Sequence, residues 1–176
     1  MKEVKRIVTV FGSGFPKPYD LNYQEAYELG KLLAQEGFTI CNGGYGGIME
    51  ASARGAKEAG GKTIGILTEM FSKTPNPFID EAILMKTLNE RLMKLIELGD
   101  VYVVLRGGTG TLVELATVWE YLNKQIITEK PVVFIGKFWE PVINLINKDL
   151  LNEGRKESAR YITCVNSPIE CVKVLK

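Results

Sequence analysis

The chain has 176 residues, 22 of them Lys or Arg and 21 Asp or Glu, for a formal net charge of +1. That length suits one α/β domain with a full core and is short for two. The even balance, without a run of like charge, speaks against a general binder of nucleic acid or of membrane surfaces.

Cys41, Cys164 and Cys171 are an odd count without CxxC spacing, so neither disulfides nor zinc are expected. The chain has no histidine, which removes the usual neutral-pH acid–base catalyst and commonest metal ligand. No metal and no cofactor is expected, and chemistry falls to carboxylates, Arg, Lys, Tyr, hydroxyls or backbone. MKEVKRIVTVF runs from a short charged segment straight into a strand, without a signal region, and no apolar run reaches membrane length. A soluble cytoplasmic protein is the expectation.

In chain order, Lys5 to Phe11 reads as the first strand and Gly12-Ser13-Gly14 as its turn. Pro16 and Pro18 delay the next helix, whose stripe of Tyr23, Ala26, Tyr27, Gly30, Leu33 and Ala34 spans about Asn22 to Glu36. The tyrosines read as core packing. Phe38 to Cys41 is a short strand, followed by a second glycine-rich turn, Asn42-Gly43-Gly44-Tyr45-Gly46-Gly47. A helix rich in small residues, Ile48 to Ala59, leads to a third strand, Thr63 to Leu67. Glu69 to Asp80 holds two prolines and no periodicity, which predicts a long loop placed to cover a site. Glu81 to Lys86 is a further short strand. Thr87-Leu88-Asn89-Glu90 then opens a helix as a capping box. Arg91 follows in its first turns, where the helix dipole disfavours a cation. It either pairs with Glu90 or Glu97 on a solvated face or meets an anionic partner.

Val101 to Leu105 is a continuous apolar run, the pattern of a strand buried on both faces. Arg106-Gly107-Gly108-Thr109-Gly110-Thr111 follows, and Leu112, Leu115, Ala116, Trp119 and Leu122 recur at helical spacing. Glycines on such a strand-to-helix turn leave the first helical N–H groups free for an anion such as phosphate. Thr109 and Thr111 can add hydroxyl donors. A side chain at Gly108 or Gly110 is expected to block that approach and to meet a disallowed φ. GGTGT is neither a P-loop nor a dinucleotide fingerprint. Thr111-Leu112-Val113-Glu114 also fits a capping box, which taken alone makes Glu114 a cap. Pro131 to Ile135 is the sixth strand, Trp139 to Leu151 a helix with Trp139 as a core anchor, and Tyr161 to Val165 and Pro168 to Val174 a last strand and helix. The order predicts a Rossmann-like, doubly wound parallel sheet with helices on both faces, in a single domain over 1–176.

GSG after strand one, NGGYGGIMEA after strand two, NERLMKL before the central strand and RGGTGTLVE after it arrive together. This set resembles the Lonely Guy family, cytokinin-activating phosphoribohydrolases long mislabelled as lysine decarboxylases, whose hallmark is PGGxGTxxE. The resemblance spans roughly Ile7 to Leu151. It implies catalytic roles for Arg91 and Glu114, with nucleotide phosphate held by Gly107, Gly108, Thr109, Gly110 and Thr111. The turns Gly12, Ser13, Gly14 and Gly43, Gly44, Gly46 join the same predicted site. A homodimer or higher homo-oligomer is implied as well. Arg106 replaces the hallmark proline, Val113 replaces a frequent glutamate, and GGIME replaces a GLMG-like sequence. NGGYGGIMEASARGAKEAGG is closer to a bacterial and archaeal branch of predicted nucleotide-binding proteins that includes relatives of molybdenum-cofactor carriers. No lysine-centred motif supports pyridoxal phosphate chemistry, which leaves the decarboxylase label without a basis.

Two expectations follow. One is hydrolysis of the N-glycosidic bond of a nucleoside 5′-monophosphate, with Glu114 stabilising positive charge on the ribose. The other is a carrier or sensor of a nucleotide or nucleotide-like cofactor, in which Glu114 is a cap or a ribose ligand.

Overall fold

The computed structural model describes residues 6–155 and 160–176. The chain alternates β1 (Ile7–Phe11), α1 (Leu21–Gln35), β2 (Thr39–Asn42), α2 (Ile48–Glu58), β3 (Thr63–Thr68), β4 (Glu81–Met85), α3 (Leu88–Leu98), β5 (Val101–Val104), α4 (Thr109–Asn123), β6 (Val132–Ile135), α5 (Glu140–Asn152), β7 (Ile162–Val165) and α6 (Pro168–Leu175). Lys5, where the first strand was expected to begin, lies outside the described residues. The strands form one parallel sheet in the order β4-β3-β2-β1-β5-β6-β7.

β1 and β5 lie at the centre, in register from Val8 against Val101 to Phe11 against Val104. Their residues are almost wholly apolar because both faces are covered. Val8, Val10, Val101 and Val103 pack with Tyr23, Ala26, Leu29 and Leu33 of α1, with α2 and with α6. Phe11, Tyr102 and Val104 face the other way, into α3, α4 and α5 through Leu95, Leu115, Trp119 and Ile143. The tyrosine expectation holds for Tyr23, which is buried and donates its hydroxyl to Glu50 at 2.9 Å. Trp139 is buried, and its indole N–H donates to the Leu105 carbonyl at 3.0 Å, locking the start of α5 to the end of β5.

Strand order reverses between β1 and β5. The chain leaves β1 toward one face and β5 toward the other, so their carboxyl ends bound a crevice, the usual ligand position in this architecture.

Candidate functional site

The three glycine turns meet at this end of the sheet. Ser13 N–H donates to the Arg106 carbonyl at 3.1 Å, and Ile48 N–H donates to the Ser13 carbonyl at 2.8 Å. Gly12 lies against the Ile48 side chain, Gly14 and Gly46 face each other across the first and second turns, and Gly47 packs on Ser13 and Gly14.

The turn after β5 ends at Gly108, the N-cap of α4, which offers no side chain to the helix. Leu112 N–H is bonded to the Gly108 carbonyl at 3.0 Å. The N–H groups of Thr109, Gly110 and Thr111 precede that bond, at the positive end of the helix. An added Cβ at Gly107 would strike the Thr111 side chain, which is buried beneath the turn. At Gly108 and Gly110 an added Cβ would meet nothing within 4 Å. Gly108 has φ −100°, and neither of the two has a positive φ. The expected disallowed φ is therefore corrected: no backbone strain and no protein atom requires glycine at 108 or 110.

The turn after β2 is filled by the protein itself. Gly44 and Gly47 have positive φ, and an added Cβ at Gly43 would run into Arg91 Nη2. Arg91 crosses this turn with its Nε donating to the Ile66 carbonyl at 2.7 Å and its guanidinium 5.5 Å over the Tyr45 ring. Its expected surface partners are engaged elsewhere. Glu90 completes the capping box with Thr87, and Glu97 pairs with Lys94 at 3.0 Å. Among the described residues, Arg91 has no carboxylate at ion-pair distance. The predicted loop after Thr68 straps this mount: Tyr45 hydroxyl donates to Ser72 O at 2.9 Å, and Asn76 side-chain amide donates to Tyr45 O at 2.8 Å.

Glu114 is not a cap. α4 begins at Thr109, so Glu114 is the sixth helical residue and Thr111 the third, and the capping-box expectation is corrected because Gly108 starts the helix earlier. The Glu114 carboxyl is pushed up to about 7 by burial, against which the Arg91 charge pulls it down. A carboxyl poised near neutrality in the field of a fixed guanidinium is suited to acid–base work.

Residues that the sequence reading left out join the crevice. Tyr45 and Met49 seat Arg91, with Nη2 3.8 Å from Met49 Sδ. On the β6 side, a cleft of about 550 Å³ opens between the β1–α1 segment, Arg106 and Gly107, and Phe138. An aromatic inside a glycine turn (Tyr45) and an aromatic pair after a strand (Phe138-Trp139) were the available signals. Among the described residues no group of three or more His, Cys, Asp and Glu could hold a metal, and no helix is long and apolar enough to cross a membrane.

Fold and site together define a doubly wound α/β protein with an open glycine turn, a half-buried carboxyl and a mounted arginine at the switch point. The chain belongs to the SLOG cluster 4 family, whose model matches residues 5–172. It is 32% identical over 133 residues to the cytokinin riboside 5′-monophosphate phosphoribohydrolase of Mycobacterium tuberculosis, covering 73% of this chain and 69% of that one. It is also similar to the molybdenum cofactor binding protein of Rippkaea orientalis, at 30% identity and TM-score 0.76 over 97% of this chain and 95% of the other. The molybdenum cofactor carrier protein of Chlamydomonas reinhardtii follows at 26% identity and TM-score 0.74, covering 97% and 96%.

Proposed function

We propose that the chain hydrolyses the N-glycosidic bond of a nucleoside 5′-monophosphate to the free base and ribose 5-phosphate. The observation that carries this reading is Glu114, a half-buried carboxyl pushed up to about 7 by desolvation and opposed by the Arg91 charge. The 5′-phosphate rests on the N–H groups of Thr109 to Thr111, reached because Gly108 and Gly110 leave the space open. Arg91, held by Ile66 O and Tyr45, fixes the phosphate or ribose side. The C1′–N bond breaks with its electron pair going to the base, and the ionised Glu114 stabilises the positive charge left on the ribose. Glu114 then takes a proton from the water that closes on C1′ and passes it to the departing base nitrogen. A proton affinity near pH 7 suits both transfers.

Release of adenine from AMP, measured for wild type and Glu114→Gln, tests this. The variant should keep its AMP affinity and lose about a hundredfold or more in turnover, on the order of 3 kcal/mol of transition-state stabilisation. Because the ionised carboxylate starts the reaction, wild-type kcat/KM should rise with pH and level off above about 7, the value to which burial pushes Glu114. The likeness to molybdenum cofactor binding and carrier proteins favours a second reading, a carrier that binds and does not turn over. AMP recovered intact from the wild-type pocket would leave that reading alone.

A homodimer belongs to the same proposal. Leu88 and Met93 on α3, and Leu112 and Val113 on α4, expose apolar side chains on the two helices that carry Arg91 and Glu114. A monomer in sedimentation at micromolar concentration would count against it.

A further inference from the structure

We propose that the cleft on the β6 side of the turn after β5 is a second anion subsite, and that Arg106 makes the protein select nucleotides carrying a further phosphate on the 5′-phosphate. The inference rests on the reading that the 5′-phosphate sits on the turn from Gly108 to Thr111, and it goes beyond the monophosphate reading by widening the ligand class to nucleotides with one phosphate more.

Gly107 is the link. It opens the turn and also lines the cleft, whereas neither Arg91 nor Glu114 lines it. A ligand seated on the turn therefore has two ways to extend. Toward Arg91 and Glu114 lie the groups that handle the ribose; past Gly107 lies a cleft of about 550 Å³, with room for more than the monophosphate uses.

The charge in that cleft is Arg106. Its guanidinium stands 4.7 Å from the centroid of the Phe138 ring. Stacking on an aromatic face holds a guanidinium in place while leaving its N–H edge free to bind oxygen in a bidentate manner. The ring is itself held, edge to face at 5.1 Å from Trp139, whose indole N–H is anchored on Leu105 O. Among the described residues no carboxylate lies at ion-pair distance from Arg106. The cleft's own carboxylate, Asp20, is turned to its neighbouring loop, accepting the Lys17 N–H at 2.7 Å. Ser13 Oγ accepts the Phe15 N–H at 3.2 Å, which leaves its hydroxyl hydrogen to donate. A mounted cation without a carboxylate partner and a hydroxyl donor, next to a turn of exposed N–H groups, suit a second phosphate.

Calorimetry with AMP and ADP, without divalent cations, tests this on wild type, Arg106→Gln and Phe138→Leu. Wild type should bind ADP about tenfold more tightly than AMP, the size of one charge-assisted contact. Arg106→Gln should bring the ratio to about one by weakening ADP alone, and Phe138→Leu should reduce it part of the way. Thermal melts of both variants should match wild type, since Arg106 and Phe138 are both exposed. Equal affinity for the two nucleotides in wild type, or an Arg106→Gln variant that weakens AMP as much as ADP, would overturn the subsite. Failure of adenine release from AMP removes the hydrolase reading and leaves the ADP preference standing. Binding of neither nucleotide would overturn both.

Discussion

The turn after β2 and the turn after β5 are both written in glycine, yet their glycines make room for different things. In the first, Gly43 yields to the Arg91 guanidinium, Gly44 to Leu67 and Gly47 to the backbone of Ser13 and Gly14. Those glycines are demanded by neighbouring protein atoms, and two carry the positive φ that side chains rarely tolerate. In the second, only Gly107 has a protein neighbour, Thr111, while Gly108 and Gly110 border open space. One turn is a mount for an arginine and the other a face for a ligand. A glycine that the fold does not need is a better pointer to binding than a glycine-rich composition.

The largest expected effect lies in the mount. Gly47→Ala combines a strained φ of 66° with a clash against the Ser13 and Gly14 backbone. Together these should cost about 3 kcal/mol or more. Thermal denaturation should drop by roughly 6–12 °C for a chain of this size. An unchanged melt would show that the mount is loose and would dissolve the contrast between the turns. Gly43→Ala comes next. Its methyl takes the place of the Arg91 guanidinium, so base release should fall about tenfold to a hundredfold, as in Arg91→Ala. The double variant should be no worse than either single one, because both remove the same positioned cation. Additive losses would mean that Gly43 acts independently of Arg91.

The sheet was readable because its signals are local. Apolar runs such as Val101 to Leu105, glycines at strand ends and the Thr87–Glu90 capping box each report on neighbouring residues, and all reappear in the structure. Arg91 was ambiguous because its fate turned on distant groups. Glu90 went to the cap, Glu97 to Lys94, and Ile66 and Tyr45 arrived from other elements. Glu114 was half readable. TLVE matches a capping box in spacing, but the helix starts at Thr109, and only the fold shows the carboxyl half-buried and within the field of Arg91. The Arg106 cleft could not be read at all, since Phe15, Arg106 and Phe138 come from three separate segments.

The ligand-facing turn should respond in the opposite way to the mount. At Gly108 an added Cβ meets no protein atom within 4 Å and φ is ordinary, so stability in Gly108→Val should stay within about 0.5 kcal/mol of wild type. The same side chain projects where a phosphate would approach, and AMP affinity should fall about tenfold, near 1.4 kcal/mol. Calorimetry beside a thermal melt separates the two effects. A Gly108→Val protein that melts early and binds AMP normally would make this turn a structural one like the other.

The smallest expected effect concerns the stability that Glu114 costs. The folded protein holds its proton up to about pH 7, whereas a carboxyl in the unfolded chain releases it near 4.5. Between those values the native state binds more protons than the unfolded state, so stability falls as pH rises through the window. The penalty is absent below about pH 4.5 and complete above about 7. Glutamine has no such titration. Relative to wild type, Glu114→Gln should therefore gain nothing at pH 4.5 and should melt higher at pH 8. With the side chain partly open to solvent, the gain is on the order of 1 kcal/mol, or roughly 2–4 °C. The sign separates this carboxyl from a helix cap, whose glutamine replacement would be neutral or destabilising at every pH. Melts of the two proteins that run parallel from pH 4.5 to 8 would show that Glu114 ionises as an ordinary solvated carboxyl, and would remove the physical basis for its catalytic role.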